Sequence, residues 1–101
     1  MDTKDNCKVL LTNNKLQKVK CYKFLHKELG REVAVHEDVE NKNITSITDV
    51  LTGFRLCYIH KDINKVKDED INQTLNQFIK HYTIEDIKKK FKEIEDRDKK
   101  D

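Results

Sequence analysis

Apolar and polar residues alternate in the middle of the chain and recur every three to four residues on either side of it. The central stretch from Ile44 to His60, ITSITDVLTGFRLCYIH, has two β-favouring runs around a turn that ends in Gly53, the pattern of a β-hairpin. Pairing Asp49 with Phe54 across Val50-Leu51-Thr52-Gly53 sets Ile47 against Leu56 and Thr45 against Tyr58. Phe54, Leu56, Tyr58 and Ile47 then share the core side. Thr48, Arg55, Ser46, Cys57, Ile44 and Ile59 take the other. Gly53 supplies the positive φ that closes a loop of this length. Just before it, Glu32 to Glu40 (EVAVHEDVE) alternates, with Val33, Val35 and Val39 on one side and Glu32, His36, Asp38 and Glu40 on the other. This reads as a half-exposed strand. With turn residues at Asn41-Lys42-Asn43, residues 32 to 60 are expected to form a three-stranded antiparallel meander.

Helical spacing marks the flanks. From Lys15 to Leu29 the positions Leu16, Val19, Tyr22, Leu25 and Leu29 step by three and four, and Gly30 stands where a helix C-cap belongs, so a helix is expected. The rival is a strand over Val19–Leu25 returning through Leu29-Gly30-Arg31, which suits its Val, Tyr and Phe content; the longer window favours the helix. Val9-Leu10-Leu11 reads either as a short edge strand or as an apolar clip before Asn13-Asn14. After Lys61, Ile71, Leu75, Phe78, Ile79 and Tyr82 line one face of a helix capped by Asp68. Thr83 then opens a second helix with Ile84, Ile87, Phe91 and Ile94 on one stripe.

The expectation is one α+β domain over residues 1–101: an N-terminal helix, a three-stranded meander and two C-terminal helices on one sheet face. Residues 1–7 would be a loose N-terminal segment and 97–101 a frayed tail. The main core would hold Leu56, Tyr58, Phe54, Val33, Val35, Leu75, Phe78 and Ile79. In topology the α-β-β-β-α part is similar to the double-stranded-RNA-binding domain. The helix after the strands, however, begins Asp68-Glu69-Asp70 where that family presents lysines, so membership is not inferred.

Composition narrows the function. At 36% hydrophobic residues the core is thin, and charged residues reach 40% against about 25% in an average globular chain. The 21 basic and 19 acidic side chains nearly cancel to +2, so nucleic-acid binding would need locally segregated lysines. No apolar run approaches the roughly 20 residues that cross a bilayer, and the first residues carry no recognisable secretion signal. Cys7, Cys21 and Cys57 form an odd, unpaired set, which fits a cytoplasmic setting with reduced thiols. A vocabulary heavy in Lys, Asn and Ile suggests an AT-rich coding source, such as a low-GC bacterium, its phage or another mobile element.

Chemistry-bearing motifs are weak. Cys57 and His60 form a C-x-x-H pair, but a strand sends them to opposite faces and no second ligand pair completes a tetrahedral zinc site. Cys57 beside His60, Cys21 near His26 and Cys7 beside Lys8 lack the strand-to-helix elbow and oxyanion donors of acyl transfer. Glu37-Asp38 and Asp68-Glu69-Asp70 read as solvated charge and helix start. No catalytic residue, metal ligand or cofactor site is assigned.

Two binding readings remain. The first is a small non-enzymatic protein-binding module, an inhibitor or adaptor, that meets its partner through Val50, Leu51, Thr52 and Arg55 of the hairpin. The alternative is a nucleic-acid-binding accessory protein using Lys20, Lys23 and Lys27, which share a face on the expected first helix. Self-association as a homodimer through Ile84, Ile87, Phe91 and Ile94 is a further expectation, although that stripe suits the chain's own preceding helix equally well.

Overall fold

The structure, a computed structural model, describes residues 3–11, 13 and 15–100, the side chains of residues 84, 94, 95 and 97–100 excepted. Five strands come first: β1 (Asp5–Leu10), β2 (Leu16–His26), β3 (Arg31–Glu37), β4 (Thr45–Asp49) and β5 (Arg55–Ile59). They pair antiparallel in sequence order. A 3₁₀ turn at Ile63–Lys65 leads to helices α1 (Asp68–His81) and α2 (Ile84–Lys100). The meander therefore has five strands rather than three, and the helix expected over residues 15–29 is instead the eleven-residue strand β2. Its return to β3 runs through the Leu29-Gly30-Arg31 turn of the rival reading, with Gly30 at φ 66°. The loose segment expected over residues 1–7 is already strand from Asp5, and Cys7 is buried. Residues 1 and 2 lie outside the described residues. At the other end α2 spans Ile84–Lys100, a range that includes part of the tail expected to fray; Asp101 and the side chains of 97–100 are outside the description.

One row of side chains shows how the core is assembled. The register aligns Tyr22, Val35, Ile47 and Cys57 across four strands, so all four point to one face, where Ile71, Leu75, Ile87 and Phe91 of the helices meet them. Val33, Val35, Ile47, Ile71 and Leu75 are fully buried, each such side chain contributing about 1.5–3 kcal/mol relative to exposure. Val33, Val35 and Leu75 thus sit in the core as the periodicity implies. Val39 lies beyond β3 and is exposed.

The β4–β5 register departs from expectation by one residue. Asp49 N–H does bond the Phe54 carbonyl at 2.9 Å, but an irregularity between Ile47 and Thr48 leaves Leu56 as an extra residue, so Ile47 pairs with Cys57 and Thr45 with Ile59. A bulge shifts every later side chain to the opposite face. Cys57 and Ile59 therefore face the helices, Tyr58 turns outward, and Leu56 is only half-buried.

The second sheet face is covered as well. The β2 residues up to Cys21 pair with β1 and those from Tyr22 onward pair with β3. The β1–β2 ribbon folds over Ala34 so that Cys7, Val9, Val19 and Cys21 form a second small core with Ala34 and Val50. Leu10 N–H reaches the Gly53 carbonyl at 2.8 Å, tying the first strand to the loop between the last two.

Helix ends follow local chemistry. Asp70 accepts the Lys67 N–H at 3.0 Å, so α1 is capped from Lys67 and not from Asp68, which takes a hydrogen bond from the Tyr22 hydroxyl. Thr83 Oγ1 accepts the Asp86 N–H, the expected cap of α2.

Candidate protein-binding surface

The β4–β5 loop is held from beneath. Asp49 is fully buried and accepts a forked pair from Arg31, Nε to Oδ1 and Nη2 to Oδ2, both at 2.8 Å. The same carboxylate takes the Thr52 N–H at 3.0 Å and the Thr52 hydroxyl at 2.7 Å. The Arg31 guanidinium lies 4.0 Å from the Phe91 ring centroid, which links the loop to α2. Charge-assisted, two-pronged pairing fixes both distance and plane, so the loop is a rigid platform.

Of the four residues expected to meet a partner, that platform presents two. Leu51 at its tip is 77% exposed. Arg55 is 43% exposed; its Nη1 donates to Asp38 at 3.3 Å and its guanidinium lies 4.1 Å from the Tyr58 ring centroid. Val50 is half-buried against the small core and Thr52 is buried on Asp49.

Beside Arg55 lies a feature the sequence did not disclose, a groove of about 350 Å³. Phe54 and Leu56 form one wall, Phe78, Tyr82, Ile87 and Phe91 the other, and Asp86 and Lys90 stand among the lining residues. Phe78 and Tyr82 pack with ring centroids 5.1 Å apart and planes tilted by 43°, and Tyr82 is 56% exposed. The groove lies at the start of β5, the last strand in the sheet order. An edge strand leaves every second backbone N–H and C=O free to pair.

Under the ribbon, polar side chains replace apolar ones. His36 and Asp38, expected on an exposed face, are buried. His36 Nδ1 bonds the Glu37 carbonyl and Nε2 bonds Thr48 Oγ1, each at 2.8 Å. A carbonyl only accepts, so the ring carries a proton on Nδ1. Burial lowers the His36 pKa, against the raising effects of the Glu37 carbonyl and Asp38. For Asp38, burial acts upward, but hydrogen bonds from Ser46, Glu40 and Asn41, with Arg55 nearby, outweigh it and hold the carboxyl below its ordinary value. Val9, Leu10 and Phe54 wall a neighbouring recess of about 280 Å³ onto which His36, Asp38 and Ser46 open. No buried side-chain nitrogen or oxygen among the described residues lacks a partner.

The remaining candidates are dispersed. Cys57 points into the helix-side core with its thiol pushed up to about 12 by burial, while His60 is exposed. Burial likewise pushes the Cys7 thiol up to about 12. Lys20, Lys23 and Lys27 do not form one stripe: Lys20 and Lys23 are three apart on a strand and so face opposite ways, and Lys27 lies in the turn after β2. The stripe depended on helical spacing that β2 does not have. Among the described residues no helix is long and apolar enough to cross a membrane.

Compared with known proteins, the chain matches no protein-family model, no curated protein and no solved structure at a significant level.

Proposed function

We propose that this protein is a small non-enzymatic binding module, an inhibitor or adaptor, that captures a segment of a partner protein in the groove beside β5. The observation that carries the reading is the apolar groove itself, lined by Phe54, Leu56, Phe78, Tyr82, Ile87 and Phe91 and bordered by an edge strand. An extended segment laid along β5 gains backbone hydrogen bonds, and its alternate side chains enter the groove for selectivity. Arg55, at the start of β5, lines this site, and Leu51 is exposed on the preceding loop that Asp49 and Arg31 hold; aromatic and arginine anchors are the usual centres of binding energy. Raised thiols at Cys7 and Cys57 and a His36 engaged at both ring nitrogens support a non-enzymatic reading, since the thiolate is the nucleophile. A cytoplasmic setting rests on the three free cysteines, and a phage or mobile-element source rests on residue vocabulary alone.

Selection of displayed peptides against the folded protein tests the proposal. Enriched sequences should bind the unmodified chain and lose about tenfold or more in affinity to Tyr82→Asp, the effect of removing a central anchor. Peptides that bind Tyr82→Asp and Leu51→Asp as well as the unmodified protein would remove the groove as the seat of binding.

A further inference from the structure

Charge is nearly balanced over the whole chain but not over its parts. Residues 1–27 carry seven lysines and two acids, a net charge of +5, whereas residues 28–101 carry 14 basic and 17 acidic side chains, a net charge of −3. Four of these seven lysines, Lys8, Lys15, Lys18 and Lys20, fall on the β1–β2 ribbon and its turn. Because the ribbon's inner face is occupied by Cys7, Val9, Val19 and Cys21, strand alternation sends Asn6, Lys8 and Leu10 of β1 and Leu16, Lys18 and Lys20 of β2 outward. The register pairs Asn6 with Lys20, Lys8 with Lys18 and Leu10 with Leu16. Lys15 stands exposed where the ribbon turns.

Lysines directly opposite one another on a strand pair repel and destabilise it. Lys8 and Lys18 do so without relief: among the described residues none of Lys8, Lys15, Lys18 and Lys20 makes an ion pair. Glu37 only shares a surface recess with Lys20. An arrangement that opposes folding and has no internal partner suits an anionic ligand. The outward face holds no aromatic ring, and binding of single strands relies on bases stacked upon aromatics. Rows of cations without stacking platforms instead meet the phosphates of a duplex, which carry no sequence information.

We propose that the outer face of the β1–β2 ribbon binds the phosphate backbone of double-stranded nucleic acid through Lys8, Lys15, Lys18 and Lys20, without sequence preference. This surface is independent of the groove beside β5 and does not rest on the protein-binding reading.

Fluorescence anisotropy with a labelled mixed-sequence DNA duplex tests it. Four phosphate contacts give a slope of roughly −3 to −4 in log affinity against log salt, or a roughly 100-fold loss between about 50 and 200 mM. Lys8→Gln/Lys18→Gln/Lys20→Gln should flatten the slope to about −1 and melt no lower than the unmodified protein, since it relieves repulsion. Lys88→Gln/Lys89→Gln/Lys92→Gln, which removes the same charge from the exposed side of α2, should retain the steep slope. Equal losses in the two variants would reduce the effect to net charge and overturn the proposal. So would no duplex binding at low salt, tighter binding of a single-stranded oligonucleotide, or binding of phosphatidylserine vesicles in place of the duplex.

Discussion

Replacing Asp49 by Ala removes the buried half of an ion pair and takes the two-pronged carboxylate away from the Arg31 guanidinium, which is only 18% exposed. Breaking a buried pair from one side costs about 3–5 kcal/mol. The two bonds from Thr52 add about 0.5–1.5 kcal/mol each, partly shared because both end on Oδ2. Partial access of water to Arg31 pulls the other way, so a loss of about 4 kcal/mol is expected. For a domain of this size that is a large part of a total stability of about 5–15 kcal/mol. Urea unfolding followed by circular dichroism and tyrosine fluorescence measures it, the chain having no tryptophan. Arg31→Met alone also forfeits the contact with Phe91, so the pair is isolated only by the double-mutant cycle. Its coupling energy should exceed about 1 kcal/mol. A loss below about 1 kcal/mol for Asp49→Ala, or a coupling near zero, would refute the view that this pair makes the β4–β5 loop rigid.

Two further outcomes follow from local geometry and protonation. Gly30→Ala and Gly53→Ala both force alanine into a positive φ, 66° and 74°, at about 1–2 kcal/mol. Only at Gly53 does the new Cβ also meet backbone, at 2.9 Å from the Lys8 carbonyl oxygen, so thermal melts should rank Gly53→Ala clearly below Gly30→Ala. His36 is held neutral with its pKa below the ordinary 6.5, first by burial, so below that value the unfolded chain takes up a proton that the folded chain refuses. Stability should fall as the pH drops through and beneath 6.5. It should fall again beneath 3.8, where Asp38 resists protonation because its hydrogen bonds outweigh burial. Urea midpoints across this range should lose the upper step in His36→Gln.

Why the chain misleads in one place and not another is a matter of which physical term shows in its pattern. β3, the two C-terminal helices and the existence of the hairpin are legible because their apolar residues recur with the period of the element, although β3 is covered on its second face too, where Ala34 and His36 are buried. β2 is not legible in this way. Its early residues Val19 and Cys21 pack towards Ala34 and its later ones, Tyr22 and Phe24, towards the helices. A strand that changes layers midway steps from Val19 to Tyr22 by three, and that step imitates a helix. β4 misleads differently: Thr45, Ser46, Thr48 and Asp49 are polar and fully buried. Each is satisfied by a distant partner, Lys61, Asp38, His36 and Arg31 respectively, which no local window can show. The bulge at Leu56 shifted the register through a single residue, and the groove is lined by residues from three elements. Arg55 and Leu51 were legible as an exposed anchor and loop tip because hairpin chemistry is local.

The bond from Leu10 to Gly53 has a consequence for the order in which the chain assembles. Every ladder in the sheet joins neighbours in sequence, so the strands can zip up turn by turn with short loop closures, and such local contacts favour rapid folding. Docking of the ribbon across the sheet is different, because it joins residues 10 and 53 and must await the loop that carries Gly53. During synthesis from the N-terminus the β1–β2 hairpin therefore exists before the surface it will cover. In the finished protein the same contact can release while all four ladders stay paired, which makes the ribbon a separate opening unit that exposes Cys7, Val9, Val19 and Cys21 and frees the Leu10 amide to exchange before the helix-side core opens.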